Sequence, residues 1–177
     1  VIWHYHQESG VIMTDQLSTA HAFSFPTLAG QGTIDLARFA GKPVLVVNTA
    51  SRCGLTPQYA GLQALWTRYR DRGLIVLGVP SNDFGAQEPG SAAEIGTFCE
   101  THFQVDFPLA AKQVVIGGAA HPFYLWAAAQ GGEGATPKWN FHKYLIGPDG
   151  QLAGVFGSRT APDDAELITA IETNLPK

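Results

Sequence analysis

The clearest signal along the chain is where apolar runs stop alternating and become continuous. "PVLVVNTA", residues 43–50, and "LIVLGVP", residues 74–80, are β-branched runs with no polar alternation. That is the pattern of strands covered on both faces. Between them, apolar residues recur at Tyr59, Leu62, Leu65, Trp66 and Tyr69, a helical period. Thr56 is expected as the N-cap of this helix, Pro57 as its first residue, and Gly73 as its stop. Ahead of this unit, "FSFPTLAGQGTIDLARFAG" breaks into short apolar pieces between glycines. It predicts a small hairpin, then a short helical piece ending at Gly41. Further on, Ser91 and Glu94 fit a capping box opening a helix through about His102. "HPFYLWAAA" predicts another helix, with Pro122 in its first turn. "HKYLIGPDGQLAGVFG" reads as a hairpin turning at Pro148-Asp149-Gly150. Pro162 is expected to open a last helix, whose Leu167, Ile168, Ile171 and Leu175 share one face.

A strand-helix-strand unit followed by a helix, a hairpin and a final helix is a thioredoxin-like plan. The expected fold is α/β: a central mixed sheet flanked by helices, with an N-terminal β-hairpin. The 177 residues suffice for one such domain. Residues 1–12, "VIWHYHQESGVI", lack an initiator Met, whereas Met13 opens a stretch that reads as a natural start. Residues 1–12 are therefore expected to be a linker or cloning remnant, and residues 13–177 a single domain. His4 and His6 provide too few ligands for a stable metal site.

Composition narrows the chemistry. Hydrophobic residues make up 45% and charged residues 15% of the chain, which excludes disorder as a whole. A net charge of -4 without a basic run gives no support to nucleic-acid binding. No apolar stretch approaches a membrane span, and nothing reads as a secretory signal. The two cysteines lie far apart in the chain, so this is not a disulfide-stapled scaffold, and a reducing cytoplasm is expected. His21, His102, His121 and His142 show no ligand spacing, so neither a metal nor another cofactor is expected.

Cys53 stands between the first buried strand and the helix start, in "NTASRCGLTPQY". The local string is C-G-L-T, so Thr56 occupies the place of a second redox cysteine. Unpaired N–H groups and the helix dipole at such a point favour an anion, and the thiolate is the nucleophilic form. The alternative is a buried, inert cysteine, common for this residue type.

Three segments decide between these readings. "NTASRCGLTPQY" resembles the active-site motif of the glutathione peroxidase family in its cysteine-containing, non-selenium version. "VPSNDFGAQEPGS" resembles the family's second motif and "KWNFHKYLIGPDG" its third. The resemblance covers about residues 20 to 175, in order. It implies a thiol peroxidase that reduces hydrogen peroxide and organic, including lipid, hydroperoxides through a sulfenic acid intermediate. It also implies a catalytic tetrad of Cys53, Gln87, Trp139 and Asn140. The chemistry suits those types: two amides and an indole N–H donate hydrogen bonds that favour thiolate over thiol. They also stabilise charge on a departing peroxide oxygen. Where the family motif has Cys and Gln, this chain has Ser81 and Asp83. Asp83 is expected to face solvent.

Many cysteine-type members resolve the sulfenic acid with a second cysteine on the helix after the second motif and then use thioredoxin. Cys99 lies on that helix, either as the resolving thiol or as a packed helix residue with an external thiol in its place. Arg38, Arg68, Arg70, Arg72, Lys138 and Lys143 are scattered and form no clear glutathione-carboxylate site. Thioredoxin is therefore the expected reductant, with glutathione the second choice. The short segment before "KWNF" lacks the insertion of tetrameric relatives, which implies a monomer or weak dimer. Two other classes remain open: a peroxide sensor or redox relay passing oxidation to a partner, and a non-redox binding protein on the same fold.

Overall fold

The computed structural model describes residues 19–177. The expectations for residues 1–12, and for His4 and His6, lie outside the described residues.

A two-stranded antiparallel hairpin comes first, β1 (Ser24–Pro26) with β2 (Thr33–Asp35). A 3₁₀ piece follows over Leu36–Phe39, and Gly41 takes the left-handed conformation at φ 87°. The main sheet has four strands: β3 (Val44–Thr49), β4 (Ile75–Pro80), β5 (Lys143–Ile146) and β6 (Leu152–Phe156). Its order is β4-β3-β5-β6, with β3 and β4 parallel and the other two pairings antiparallel. The helices are α1 (Gln58–Tyr69), α2 (Ala92–Phe103), α3 (Pro122–Gly131) and α4 (Ala165–Asn174). This is the mixed, helix-flanked thioredoxin-like sheet that the pattern predicts.

The continuous apolar run in β3 has its cause in the layers around it. Val44 and Val46 point into a cluster with Phe25, Phe123, Tyr124 and Tyr144. Leu45 and Val47 point the other way, toward Tyr59, Leu62 and Leu65 of α1, Ile95 and Cys99 of α2, and Leu167 and Ile171 of α4. The hairpin and α3 thus cover one face, and α1, α2 and α4 the other. A strand buried on both faces has no polar side to alternate with.

Two helix starts differ from expectation. Thr56 does not cap α1; Pro57 stands at the N-cap position and makes no side-chain bond. The Thr56 hydroxyl is instead turned back into the preceding loop. Pro162 does not open α4; Asp164 caps it, accepting from Glu166 N–H at 2.9 Å. In both places proline sits in a turn just ahead of the helix, where its fixed φ serves equally well. The Ser91–Glu94 capping box forms reciprocally.

Candidate active site

Cys53 sits in the loop between β3 and α1, half-buried, and packs against the α1–α2 side of the core. The loop closes as a series of tight turns. Thr56 N–H donates to the Cys53 carbonyl at 3.0 Å, Gln58 N–H to Leu55 at 2.9 Å and Tyr59 N–H to Thr56 at 3.0 Å. The buried Thr56 hydroxyl ties the turn together. It accepts from Cys53 N–H at 2.9 Å and donates to the Ala50 carbonyl at 2.9 Å. Leu55 N–H is left over and donates to the Cys53 sulfur at 3.3 Å. The neighbouring Arg52 side chain is exposed.

The second motif reaches this loop through the backbone. Arg52 N–H donates to the Gln87 carbonyl at 3.0 Å. Gly85 at φ 65° and Ala86 at φ 52° are two successive left-handed residues that deliver Gln87. A Cβ at Gly85 would lie 3.1 Å from the Trp139 ring. Glycine there satisfies both the backbone and the close approach. Phe84 packs on Trp139 with ring centroids 5.9 Å apart.

The third motif completes the group. Asn140 is fully buried, and its side-chain amide donates to the Gln87 side-chain carbonyl at 2.8 Å. Phe141, the next residue, is again left-handed at φ 66°. Non-glycine residues in this conformation cost on the order of 1 kcal/mol or more, and they concentrate at functional sites. Here one precedes Gln87 and another follows Asn140.

The structure therefore links the Cys53 loop to Gln87, Gln87 to Asn140, and the Gln87 turn to Trp139. Asp83 differs from expectation. It is half-buried, and its carboxylate accepts from Val115 N–H at 2.6 Å and Ile116 N–H at 3.2 Å. Two consecutive backbone donors hold it against the 115–116 segment. Ser81 is buried, and its hydroxyl accepts from Asp83 N–H at 3.3 Å. Cys99 is a free thiol, 1% exposed on α2, and burial pushes its pKa up. Among the described residues no group of three or more metal-ligating side chains occurs. No helix among them is long and apolar enough to cross a membrane.

Sequence reasoning overlooks three residues around this site. Thr56 reads as a helix cap because its position fits one. Asn48 hides at the end of an apolar run. Lys143 reads as one of several scattered cations, although it is fully buried. The strand pattern did hold a sign for Lys143: it stands at the head of "KYLI", a stretch with no other polar charge and an antiparallel partner of "VLVV".

Comparison with known proteins places the chain among relatives. The profile of the family described as glutathione peroxidase matches residues 20–128. The hydroperoxy fatty acid reductase Gpx2 of Synechocystis is 52% identical over 136 residues, 77% of this chain and 86% of that protein. The glutathione peroxidase-like peroxiredoxin GPX5 of Chlamydomonas reinhardtii is 44% identical, over 86% of this chain and 93% of that one. Among solved structures, T. cruzi GPX1 superposes with a TM-score of 0.68 at 30% identity, over 87% of this chain and 97% of that one. With kinship of this extent on a thioredoxin-like sheet, the chain belongs to the glutathione peroxidase family and is a peroxidase.

Proposed function

We propose that Cys53 is the peroxidatic thiolate and that Gln87, Trp139 and Asn140 are the donors serving it. The observation that carries this reading is the Leu55 N–H donated to the half-buried Cys53 sulfur at 3.3 Å. It comes from a loop whose backbone also holds Gln87. The sulfur attacks one peroxide oxygen; the S–O bond forms as the O–O bond breaks. Cys53 is oxidised to sulfenic acid. The other oxygen leaves with the bonding pair, takes one proton, and departs as an alcohol, or as water from hydrogen peroxide. Neutral donors stabilise the charge on that oxygen without the desolvation cost of a buried cation.

Fatty-acid hydroperoxides belong to the substrate range, with hydrogen peroxide. The name of the Synechocystis relative supports this. So does the shortness of the exposed Gly131–Gly134 stretch ahead of Trp139.

Thioredoxin is the reductant of this reading. Arg38, Arg68 and Arg70 already pair with Asp35, Glu172 and Asp106, and Lys143 is buried, so these cations offer no cluster for glutathione carboxylates. Cys99 then acts as the resolving thiol: its sulfur displaces water from the Cys53 sulfenic acid, and a thioredoxin dithiol reduces the resulting disulfide. The working protein is a monomer or weak dimer in the reducing cytoplasm.

The test is peroxide turnover with thioredoxin and glutathione systems side by side, for hydrogen peroxide and a fatty-acid hydroperoxide. Cys53→Ser should abolish turnover, and Cys99→Ser should abolish only the thioredoxin-dependent part. Full activity of Cys53→Ser would refute the mechanism.

A further inference from the structure

Four hydrogen bonds converge on residues 139–142, the stretch that presents Trp139 and Asn140. Asn48, fully buried in β3, makes three of them. Its side-chain amide donates to the Trp139 carbonyl at 3.0 Å. Its carbonyl accepts Phe141 N–H at 2.6 Å, and its N–H donates to the His142 carbonyl at 3.3 Å. Lys143 makes the fourth: its ammonium donates to the Phe141 carbonyl at 2.6 Å.

Lys143 is an expensive choice for that task. It is 0% exposed, and among the described residues it has no carboxylate partner. Burial pushes its pKa down to about 8, so it still carries its charge at neutral pH. Desolvating a cation is costly. A methionine would fill the same space without that cost. Phe141, which Lys143 holds, adds backbone strain at φ 66°. Both unfavourable features fall next to Asn140. Lys143 pairs with Val47 in the β3–β5 ladder, and Val47 points into the cluster against which Cys53 packs. Paired residues share a face, so the ammonium lies on the sulfur's side of the sheet.

We propose that Asn48 and Lys143 are positioning residues of the peroxidase reaction, a two-point clamp that fixes the Trp139–Asn140 segment so its donors face the Cys53 sulfur. The clamp rests on the assignment of those donors under Proposed function. Asn48 fixes the segment at 139, 141 and 142. Lys143 takes the carbonyl of the left-handed residue, Phe141, which Asn48 does not reach. Neither touches the reacting atoms.

The test compares two second-order rate constants at Cys53, one with hydrogen peroxide and one with iodoacetamide. Both reactions need the thiolate, so their ratio cancels its population. Only peroxide attack also needs donors at a departing oxygen. Lys143→Met keeps nearly the volume of the side chain, is shorter by one atom, and removes the donor. It should lower the peroxide-to-iodoacetamide ratio at least tenfold while circular dichroism shows an intact fold. A ratio within twofold of the parent, whether both constants hold or fall together, overturns the clamp. Should Lys143→Met fail to fold, Asn48→Ala is read by the same ratio and the same limits. Cys53→Ser separates the two levels of the argument. Peroxide turnover surviving in it overturns the functional reading and the clamp with it. An inactive Cys53→Ser beside an unchanged Lys143→Met ratio overturns the clamp alone.

Discussion

Asn140 and Gln87, on different loops, are joined side chain to side chain at 2.8 Å, with the Asn140 amide donating and the Gln87 carbonyl accepting. That bond fixes which end of Gln87 is free. Its oxygen is occupied, so its two N–H groups are available for the sulfur or for a peroxide oxygen.

The bond makes Gln87→Glu an informative substitution. A carboxylate there still accepts from Asn140, so the contact survives, but both donors are lost and a negative charge is added. We expect kcat/KM for hydrogen peroxide to fall about 10²-fold or more, the scale of a lost oxyanion donor, with little change in Tm. Steady-state peroxide consumption and a thermal melt check this. An unchanged kcat/KM would remove Gln87 from the reaction.

Thr56 holds the other side of the site. Thr56→Val keeps the shape but breaks both hydroxyl bonds, leaving Cys53 N–H and the Ala50 carbonyl without that partner. Leaving buried groups unpaired costs about 1–3 kcal/mol each. Urea denaturation should show a loss of about 2–6 kcal/mol for the two groups together, and Thr56→Ser should recover most of it. If Thr56→Val is as stable as the parent, the turn does not depend on the hydroxyl.

These two cases show how much of the molecule can be read from its residues. The order of strands and helices is legible because β3 and β4 are uniformly apolar and α1 repeats with a helical period. The site residues are legible because three motifs occur in order. The supporting shell is not, because its residues do jobs that their type does not announce. Threonine before proline reads as a cap, yet Thr56 bonds backward to Ala50. Asp83 reads as a solvent-facing charge, yet it captures two N–H groups of a segment remote in the chain. Lys143 reads as one more scattered cation; its place at the head of the apolar run "KYLI" is a slight sign, and the pairing of β5 with β3 puts it in the interior.

The pH dependence of stability should carry the mark of His142. This residue is 4% exposed, and burial pulls its pKa down from 6.5 to about 4. Between those values the unfolded chain binds the proton and the folded chain does not. Stability therefore rises with pH from about 4 to about 6.5 and is fully present above that window. From pH 7 to 4.5 this group alone should cost about 2 kcal/mol. His142→Asn has no such proton, so its loss over the same interval should be smaller by about that amount. Urea denaturation of both proteins at the two pH values measures the difference, and equal losses would exonerate His142.

Resolution by Cys99 requires α2 to open, because a thiol 1% exposed in the core cannot otherwise reach a sulfenic acid on a neighbouring loop. The two ends of that helix offer levers of opposite sign. At its start, Ser91 accepts from Glu94 N–H at 3.2 Å, and Glu94 accepts from Ser91 N–H at 3.3 Å. Ser91→Ala removes the cap and costs about 1 kcal/mol of helix stability. At its end, Gln104 is left-handed at φ 51°, with its N–H and that of Val105 returning to the carbonyls of Glu100 and Cys99. Gln104→Gly relieves that strain and stabilises the helix by up to about 1 kcal/mol. If opening precedes closure of the Cys53–Cys99 disulfide, 1 kcal/mol shifts the open population about fivefold. Ser91→Ala should then close the disulfide faster, although it is the less stable protein, and Gln104→Gly should close it more slowly, although it is the more stable. Quenched-flow trapping of free thiols after one equivalent of hydrogen peroxide gives both rates. Equal closure rates in all three proteins would mean that closure does not wait for α2 to open, and no closure in any of them would mean that an external thiol resolves Cys53.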